Sequence, residues 1–217
     1  MPVNKEFYLT LSKQLASKNV CLVAVSKLQT IESIKELYDL GQRDFGENYV
    51  QELLEKKDKL PPDIRWHFIG NLQSNKVKYI APFVYLIHGV NSVSTLKEIQ
   101  KQASKLNKSI AILLQLHVAT EESKFGFSEE EVLAVAQDQQ AFPNVMFKGV
   151  MGMASFTENQ DLIRSEFKEV KRIFDKLKPY FTESFCEISM GMSSDYELAM
   201  EEGSTLVRIG SAIFGSR

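Results

Sequence analysis

Short apolar runs alternate about eight times with longer amphipathic segments along this chain of 217 residues. The runs are rich in Val, Ile, Leu and Phe, with little apolar–polar alternation, which is typical of parallel strands buried on both faces. Repeated strand–helix alternation predicts an α/β protein with a (β/α)8 TIM barrel; a doubly wound open sheet is the alternative. The predicted strands cover residues 21–25, 43–46, 66–69, 84–88, 110–118, 146–151, 184–189 and 205–209.

Helix start signals support the helical half of the pattern. Three predicted capping boxes, each a Thr or Ser followed three residues later by Glu or Gln, begin at Thr95, Ser128 and Thr157. We expect residues 4–17 to form an additional N-terminal helix, which either covers the bottom of the barrel or contributes to a dimer. We expect a monomer rather than a dimer, and we expect residues 1–217 to form a single domain.

The composition restricts the classes of function. The net charge is −2, so no broad basic surface favours nucleic acid or an anionic membrane as a partner. The chain has two cysteines, which fits a reducing compartment better than a disulfide scaffold. We find no apolar segment long enough to cross a bilayer and no secretory signal at the N-terminus. We therefore expect a cytoplasmic protein.

A lysine follows the first predicted strand, in the stretch LVAVSKLQT. Lys27 comes after Val23 and Val25 at alternate positions, so the three side chains share one face of the strand. In a barrel this face points inward, and the C-terminal end of the strand opens on the side where active sites lie. An amine held there among apolar walls loses hydration, which a Schiff-base lysine requires. The alternative is a lysine that is solvated or paired with a carboxylate.

The last two predicted strands end in small residues. The segment SMGMSS closes one strand, and Gly210 and Ser211 close the other. Because glycine lets backbone N–H groups approach a ligand closely, and because barrels bind phosphate in the loops after strands seven and eight, we predict an anion site here. It would consist of Ser193, Ser194, Gly210 and Ser211. The alternative is that residues 194–197 are only a capping box and Gly210 only a turn.

An arginine lies inside the last predicted strand. Arg208 shares a face with Leu206 and Gly210, and a buried guanidinium needs acceptors for its N–H groups. The acceptor is either a glutamate of the helix layer or a ring nitrogen or phosphate of a ligand at the barrel mouth. An imine-forming amine, a phosphate site and a cation facing a heteroatom together match pyridoxal 5'-phosphate (PLP), which has an aldehyde, a phosphate and a pyridine nitrogen.

Six longer motifs follow one another over nearly the whole chain, and in this order they resemble the pyridoxal phosphate homeostasis protein family. The resemblance implies a barrel similar to the N-terminal domain of alanine racemase, with PLP on Lys27 and Arg208 near the pyridine nitrogen. It also implies phosphate contacts from residues 189–194 and 210–211, with Asn48 and residues 69–71 at the same mouth. The motifs are AVSK, FGENYVQE, WHFIGNLQSNK, KFGF, SMGMSSDYELAM and GSTLVRIGSAIFGSR.

The resemblance further implies a protein that binds and buffers PLP for intracellular vitamin B6 homeostasis, without an established catalytic activity. PLP-requiring apo-enzymes are its possible partners. An arginine beside the pyridine nitrogen stays charged, so that nitrogen should remain unprotonated and the ring should be a poorer electron sink. The sequence ends at Arg217, directly after the barrel. We therefore expect no second domain with an acid/base tyrosine of the alanine racemase kind, and slow or no turnover. The alternative is a single-domain PLP-dependent amino-acid racemase.

Two places depart from the family pattern. Residues 87–92 read IHGVNS where a motif close to IHSVDS is expected, and residues 116–126 replace a segment that contains an asparagine. The departures at Gly89, Asn91 and residues 117–120 leave secondary contacts at the barrel mouth unassigned. They do not change Lys27 or the predicted phosphate loops.

Three histidines fall on predicted strands: His67, His88 and His117. Histidines at barrel strand ends could indicate a metal-dependent hydrolase. No aspartate or glutamate joins them at ligand spacing, however, so histidines hydrogen-bonded in the core are the favoured interpretation, and we predict no metal.

Overall fold

The computed structural model describes residues 3–119 and 125–215. Eight parallel strands pair in sequence order, and the eighth pairs back to the first, so they close into a barrel. The TIM barrel prediction is therefore confirmed, and the open sheet is excluded. The strands are β1 (Cys21–Val25), β2 (Asp44–Glu47), β3 (Arg65–Phe68), β4 (Leu86–Val90), β5 (Ile110–Gln115), β6 (Val145–Met151), β7 (Glu187–Ser189) and β8 (Leu206–Ile209).

Helices follow the strands and surround the barrel. The additional N-terminal helix predicted over residues 4–17 is present as α1, with Asn4 as its N-cap, and it packs against β1 and the last helix. None of the helices in the described part of the chain is long and apolar enough to span a bilayer. The helices are α1 (Lys5–Ser17), α2 (Ile31–Asp39), α3 (Val50–Lys57), α4 (Val77–Ile80), α5 (Val93–Lys105), α6 (Glu129–Gln137), α7 (Gln160–Leu177), α8 (Tyr196–Glu201) and α9 (Ser211–Phe214).

One of the three predicted capping boxes is confirmed. The Oγ of Ser128 accepts the N–H of Glu131 at 3.2 Å, and the Glu131 carboxylate accepts the N–H of Ser128 at 2.9 Å. The other two are wrong. The helix α5 begins after Ser92, whose Oγ accepts the N–H of Thr95 at 3.3 Å, so Thr95 already lies in the first turn. The helix α7 begins after Asn159, whose side chain accepts two N–H groups of that turn.

The barrel interior has an apolar middle. Alternate residues of the strands point inward, and a separate apolar cluster contains Val23, Leu86, Leu113, Met151 and Leu206. A larger apolar cluster joins the outer face of the strands to the helices. The interior also holds buried polar side chains on five strands, and of these only Arg208 lines the cavity described below. These are Asp44, His67, His88, Ser189 and Arg208.

Candidate functional site

A cavity of about 630 Å³ opens at the C-terminal ends of the strands. It brings together seven predicted cofactor-binding residues: Lys27, Asn48, Ser193, Ser194, Arg208, Gly210 and Ser211. Of the two segments also expected there, Ile69 and residues 192–194 line the cavity, whereas Gly70, Asn71 and residues 189–191 do not. Two of the described lining side chains are cationic and none is a carboxylate, so the cavity favours an anionic ligand. The remaining lining residues are Val25, Gln29, Ile69, Met153, Phe156, Met192 and Gly215.

Lys27 lies two residues beyond the end of β1, in a turn, and its side chain is half-buried. Val23 belongs to the apolar cluster inside the barrel, and Val25 lines the cavity beside Lys27. The shared face expected from strand alternation is therefore present. The next residue, Leu28, has a φ of 59°. This left-handed conformation is costly for a side chain larger than glycine, and it persists only where surrounding contacts hold it.

Those contacts come from a buried ion-pair cluster below the turn. The Nζ of Lys56 donates to the backbone carbonyl of Ser26 at 2.7 Å, to Glu47 at 2.8 Å and to Glu52 at 2.6 Å. The Glu52 carboxylate also accepts the N–H of Leu28. The residues before and after Lys27 are thus both tied to α3 and the end of β2.

Within this cluster the hydroxyl of Ser26 donates to Glu47 at 2.5 Å. Burial raises the pKa of Glu47, although the charge and hydrogen bond of Lys56 act against that rise. Neither Glu47 nor Glu52 was predicted to have this role, although both belong to the motif FGENYVQE. The spacing of Glu52 and Lys56, four residues apart on a predicted helix face, is the signal that could have indicated a pair.

The loop after β7 presents its serines to the cavity. It turns at Gly191, whose φ is 93°, and the Asp195 carboxylate accepts the N–H of Met192 at 2.5 Å. Asp195, and not Ser194, is the N-cap of α8, so the alternative of a capping box over residues 194–197 is wrong. The Oγ of Ser193 accepts the N–H of Gly210 at 3.4 Å, which joins the loops after β7 and β8.

Gly210 allows the end of β8 to approach β1. A Cβ at this position would lie 3.1 Å from both the Cβ and the carbonyl oxygen of Val25, a separation tighter than side chains normally adopt. Gly210 therefore brings the N–H groups at the end of β8 near the turn that carries Lys27.

Arg208 is buried, with 4% of its surface exposed. Its Nη1 donates to the carbonyl oxygen of Ser189 at 2.8 Å and to the Ser189 Oγ at 2.6 Å, and its Nη2 donates to the carbonyl oxygen of Gly152 at 3.0 Å. The acceptors are therefore not a glutamate of the helix layer. Burial lowers the pKa of Arg208 to about 10, while the charge of Asp195 acts in the opposite direction. The guanidinium remains a cation at neutral pH.

Asn48 carries a polar atom that the described residues do not satisfy. Its Oδ1 is buried and has no hydrogen-bond partner among residues 3–119 and 125–215, although the residue lines the cavity. Buried polar atoms in folded proteins are nearly always paired. This oxygen therefore fits a ligand that offers an O–H or N–H donor at this wall.

The departures at Gly89 and Asn91 are not among the residues that line the cavity. A Cβ at Gly89 would lie 2.3 Å from the carbonyl oxygen of Gly70, so the packing here requires glycine where the family pattern suggested serine. The Nδ2 of Asn91 donates to the Oδ1 of Asn71 at 3.0 Å. Of the motif residues, Lys124, Ser216 and Arg217 lie outside the described residues, as do residues 120–123 of the departing segment.

The histidines divide into a buried pair and an exposed residue. His67 and His88 lie 2.9 Å apart, Nδ1 to Nε2, which confirms the interpretation as hydrogen-bonded core histidines. His117 was predicted on the fifth strand, but β5 ends at Gln115, and His117 is exposed. Within the part of the chain that the structure describes, no three His, Cys, Asp or Glu side chains are grouped as metal ligands.

Comparison with known proteins connects the geometry to a family. The family described as "Alanine racemase, N-terminal domain" matches residues 8–217. A pyridoxal phosphate homeostasis protein of Aquifex aeolicus is 40% identical over 197 residues, which cover 90% of this chain and 86% of that protein. The protein of the same name from Homo sapiens is 39% identical over 218 residues, covering 90% of this chain and 76% of its own length.

Solved structures agree with the fold. PipY of Synechococcus elongatus without PLP superposes with a TM-score of 0.91 at 33% identity, covering 97% of this chain and 99% of PipY. The same protein with PLP bound gives a TM-score of 0.89 at 32% identity and the same coverage. An alanine racemase of Bartonella henselae gives 0.75 at 21% identity; 99% of this chain aligns with 60% of the racemase, which shows a shared fold.

Proposed function

The chain belongs to the pyridoxal phosphate homeostasis proteins, within the family of alanine racemase N-terminal domains, and from this membership we propose that it binds PLP around Lys27 and serves PLP homeostasis. The observation that carries the proposal is the cavity itself. It combines one amine, one buried arginine and the small residues of two neighbouring loops, with no carboxylate among its described lining residues. This set matches the aldehyde, ring nitrogen and phosphate of PLP.

Lys27 is the covalent anchor in this proposal. PLP would supply an aldehyde, and the Nζ of Lys27 is the amine that would hold it covalently, with loss of water. The ion-pair cluster of Lys56, Glu47 and Glu52 fixes the backbone on both sides of the anchor. The lysine therefore loses little additional backbone freedom when the bond forms, which favours binding.

The loops after β7 and β8 hold the phosphate. Ser193, Ser194 and Ser211 contribute hydroxyl groups, and Gly210 lets backbone N–H groups approach. Hydrogen bonds to a charged phosphate are stronger than those between neutral groups. Arg208 would lie near the ring nitrogen and keep it unprotonated, and the Oδ1 of Asn48, which has no partner among the described residues, would accept a donor of the ligand.

We propose that turnover is slow or absent. Racemisation by proton exchange on both faces of a bound amino acid requires two acid/base groups. Of the described residues that line the cavity, only Lys27 and Arg208 have titratable side chains, and Arg208 stays charged. The competing proposal is a single-domain amino-acid racemase, for which the fold-level likeness to alanine racemases is the support.

Solvent deuterium incorporation separates these two proposals. The PLP-loaded chain is incubated with amino acids in D2O, and the α-carbon is followed by proton NMR, with Lys27→Ala as the control. We expect no incorporation above that of free PLP. Incorporation that is fast in the wild type and abolished in Lys27→Ala would support the racemase instead.

Transfer of the cofactor tests the homeostatic role. PLP-loaded chain and an equal concentration of free PLP are each mixed with a PLP-requiring apo-enzyme, and the recovery of its activity is timed. A carrier should deliver PLP faster than the free cofactor does when an excess of competing amines is present. Equal or slower recovery would contradict delivery to apo-enzymes.

A further inference from the structure

A continuous line of buried polar side chains runs from the cavity into the barrel interior. The Nη1 of Arg208 donates to the Oγ of Ser189 at 2.6 Å, and this Oγ lies 2.9 Å from the Nδ1 of His88. The Nε2 of His88 lies 2.9 Å from the Nδ1 of His67, and the Nε2 of His67 lies 2.9 Å from the Oδ1 of Asp44. We call Ser189, His88, His67 and Asp44 the relay.

The relay crosses the barrel between distant strands. His88 lies on β4 and Ser189 on β7, which are three strands apart in one direction around the closed sheet and five in the other. The two residues are fully buried and His67 is 1% exposed, so each side chain depends on its neighbours for hydrogen bonds. At the far end Asp44 accepts a hydrogen bond from the Nε of Arg65 at 2.6 Å, and the Arg65 side chain is partly exposed.

The hydrogen bonds of the relay have one consistent direction. Burial acts to raise the pKa of Asp44, but hydrogen bonds from Arg65 and His67 outweigh it and lower this pKa to about 2, so Asp44 is ionised and only accepts. The Nε2 of His67 must then donate. With one proton on each ring, the Nδ1 of His67 accepts from the Nε2 of His88, and the Nδ1 of His88 accepts from the hydroxyl of Ser189.

This arrangement satisfies each polar atom in the line. Burial above all, with the charge of Arg208, holds the pKa of His88 well below its ordinary value, which keeps that ring neutral. The Ser189 hydroxyl donates to His88 and its oxygen accepts from Arg208. Consecutive hydrogen bonds in one direction polarise one another, so the Asp44 charge makes the Ser189 oxygen a stronger acceptor.

We propose that Ser189, His88 and His67 are positioning residues for Arg208. They connect the guanidinium to the carboxylate of Asp44, and this connection fixes its orientation toward the ligand ring. The inference rests on the proposed function, because Arg208 matters here as the partner of the PLP ring nitrogen. None of the four relay residues lines the cavity. The relay acts by holding one orientation and one hydrogen-bond direction at Arg208.

The direction of the relay can be read from nitrogen chemical shifts of the unloaded protein. The chain has three histidines, and His117 is the exposed one, which gives an internal control. Long-range ¹H–¹⁵N NMR at neutral pH should show His67 and His88 as Nε2–H tautomers, each with an unprotonated Nδ1, and His117 serves as the reference imidazole outside the relay. An Nδ1–H form at either buried histidine would overturn the assigned direction.

The effect on the ligand is tested with variants of His88. His88→Leu removes both hydrogen bonds, whereas His88→Gln retains one acceptor and one donor. We expect His88→Leu to weaken PLP binding roughly fivefold, the value of one lost hydrogen bond, and to shift the absorption band of bound PLP. His88→Gln should restore the band. Leu86→Ala, a buried neighbour outside the relay, controls for destabilisation and should leave the band in place.

These outcomes test the positioning role of the relay separately from the proposed function. An unchanged band and dissociation constant in folded His88→Leu would overturn the positioning role, as would an equal shift in Leu86→Ala. A wild-type chain that does not take up PLP would contradict the proposed function and remove the role toward the ligand. In that case the NMR measurement would still decide the direction of the relay.

Discussion

The serines after β7 are the residues whose role depends most on the phosphate of the ligand. Ser193 and Ser194 line the cavity, and Ser193 also joins the two loops through the N–H of Gly210. Ser194→Ala should weaken PLP binding roughly tenfold, because a hydrogen bond to a charged group is lost. Binding of pyridoxal, which lacks the phosphate, should not change.

Fluorescence titration with the two ligands measures this difference. Ser165→Ala, on the outer helix α7, is the matched control, because its hydroxyl bonds only to the carbonyl oxygen of Leu162 among the described residues. If Ser194→Ala weakens PLP and pyridoxal binding equally, the phosphate assignment is wrong.

Asp44 should make the fold sensitive to acid. Its folded pKa of about 2 lies below the ordinary 3.8. A lowered folded pKa contributes stability that is present above pH 3.8 and is lost as the pH falls through about 2. The difference between the folded and the ordinary pKa corresponds to about 2 kcal/mol of unfolding free energy.

Urea unfolding at several pH values between 2 and 6 tests this contribution. Asp44→Asn should be less stable than the wild type at pH 6 and should show a flatter dependence on pH below 4. Asp39→Asn, an exposed carboxylate on α2, should keep the wild-type slope. Identical slopes for Asp44→Asn and the wild type would contradict the assignment.

The site residues that were predicted from the sequence share a feature that can be recognised locally in the chain. Lys27, Arg208 and Gly210 lie at the C-terminal ends of strands, and the face of a strand residue follows from alternation alone. Ser189 and His88 could not be paired in this way, because they are 101 residues apart and meet only when the barrel closes. The strand register, which is a tertiary property, decides that contact.

At the scale of elements, α3 should act as a support for the turn that carries Lys27. Removing one partner of a buried ion pair leaves the other charge uncompensated, so Lys56→Met should lower the unfolding free energy by about 3 kcal/mol. Lys57→Met removes the neighbouring lysine, whose partner Asp58 is exposed, and should cost less than about 1 kcal/mol.

Chemical denaturation of both variants gives the comparison. The Schiff-base yield with PLP, measured by absorbance at saturating ligand, should also fall in Lys56→Met and not in Lys57→Met. Equal losses of stability in the two variants would show that the cluster does not support the turn.

Element types were easier to predict than element ends. Eight strands were predicted and eight are present, because long buried runs have a strong pattern. Two helix starts were misplaced. At α5, several cap-forming residues lie close together around the start of the helix, namely Ser92, Ser94 and Thr95. Only the backbone geometry selects Ser92, whose conformation is extended.

At the scale of the whole molecule, ligand binding should stabilise the barrel, because the cavity is formed by loops that belong to several strands. At 100 times the dissociation constant the gain is about 2.7 kcal/mol, which corresponds to a rise of roughly 5–10 °C in Tm for a chain of this size. Pyridoxamine phosphate lacks the aldehyde and should raise Tm less.

Differential scanning fluorimetry of the wild type and Lys27→Ala tests how much of this rise in Tm comes from the covalent bond to Lys27. Lys27→Ala should show the same small rise with PLP as with pyridoxamine phosphate. A full PLP response in Lys27→Ala would place the anchor at another residue.

The central claim is that Lys27 holds the cofactor, and borohydride trapping tests it most directly. The PLP-loaded chain is reduced, digested and mapped by mass spectrometry, with the visible spectrum recorded before and after reduction. We predict loss of the visible band and a reduced phosphopyridoxyl group on Lys27. An adduct confined to a different lysine, or none at all, would contradict this account.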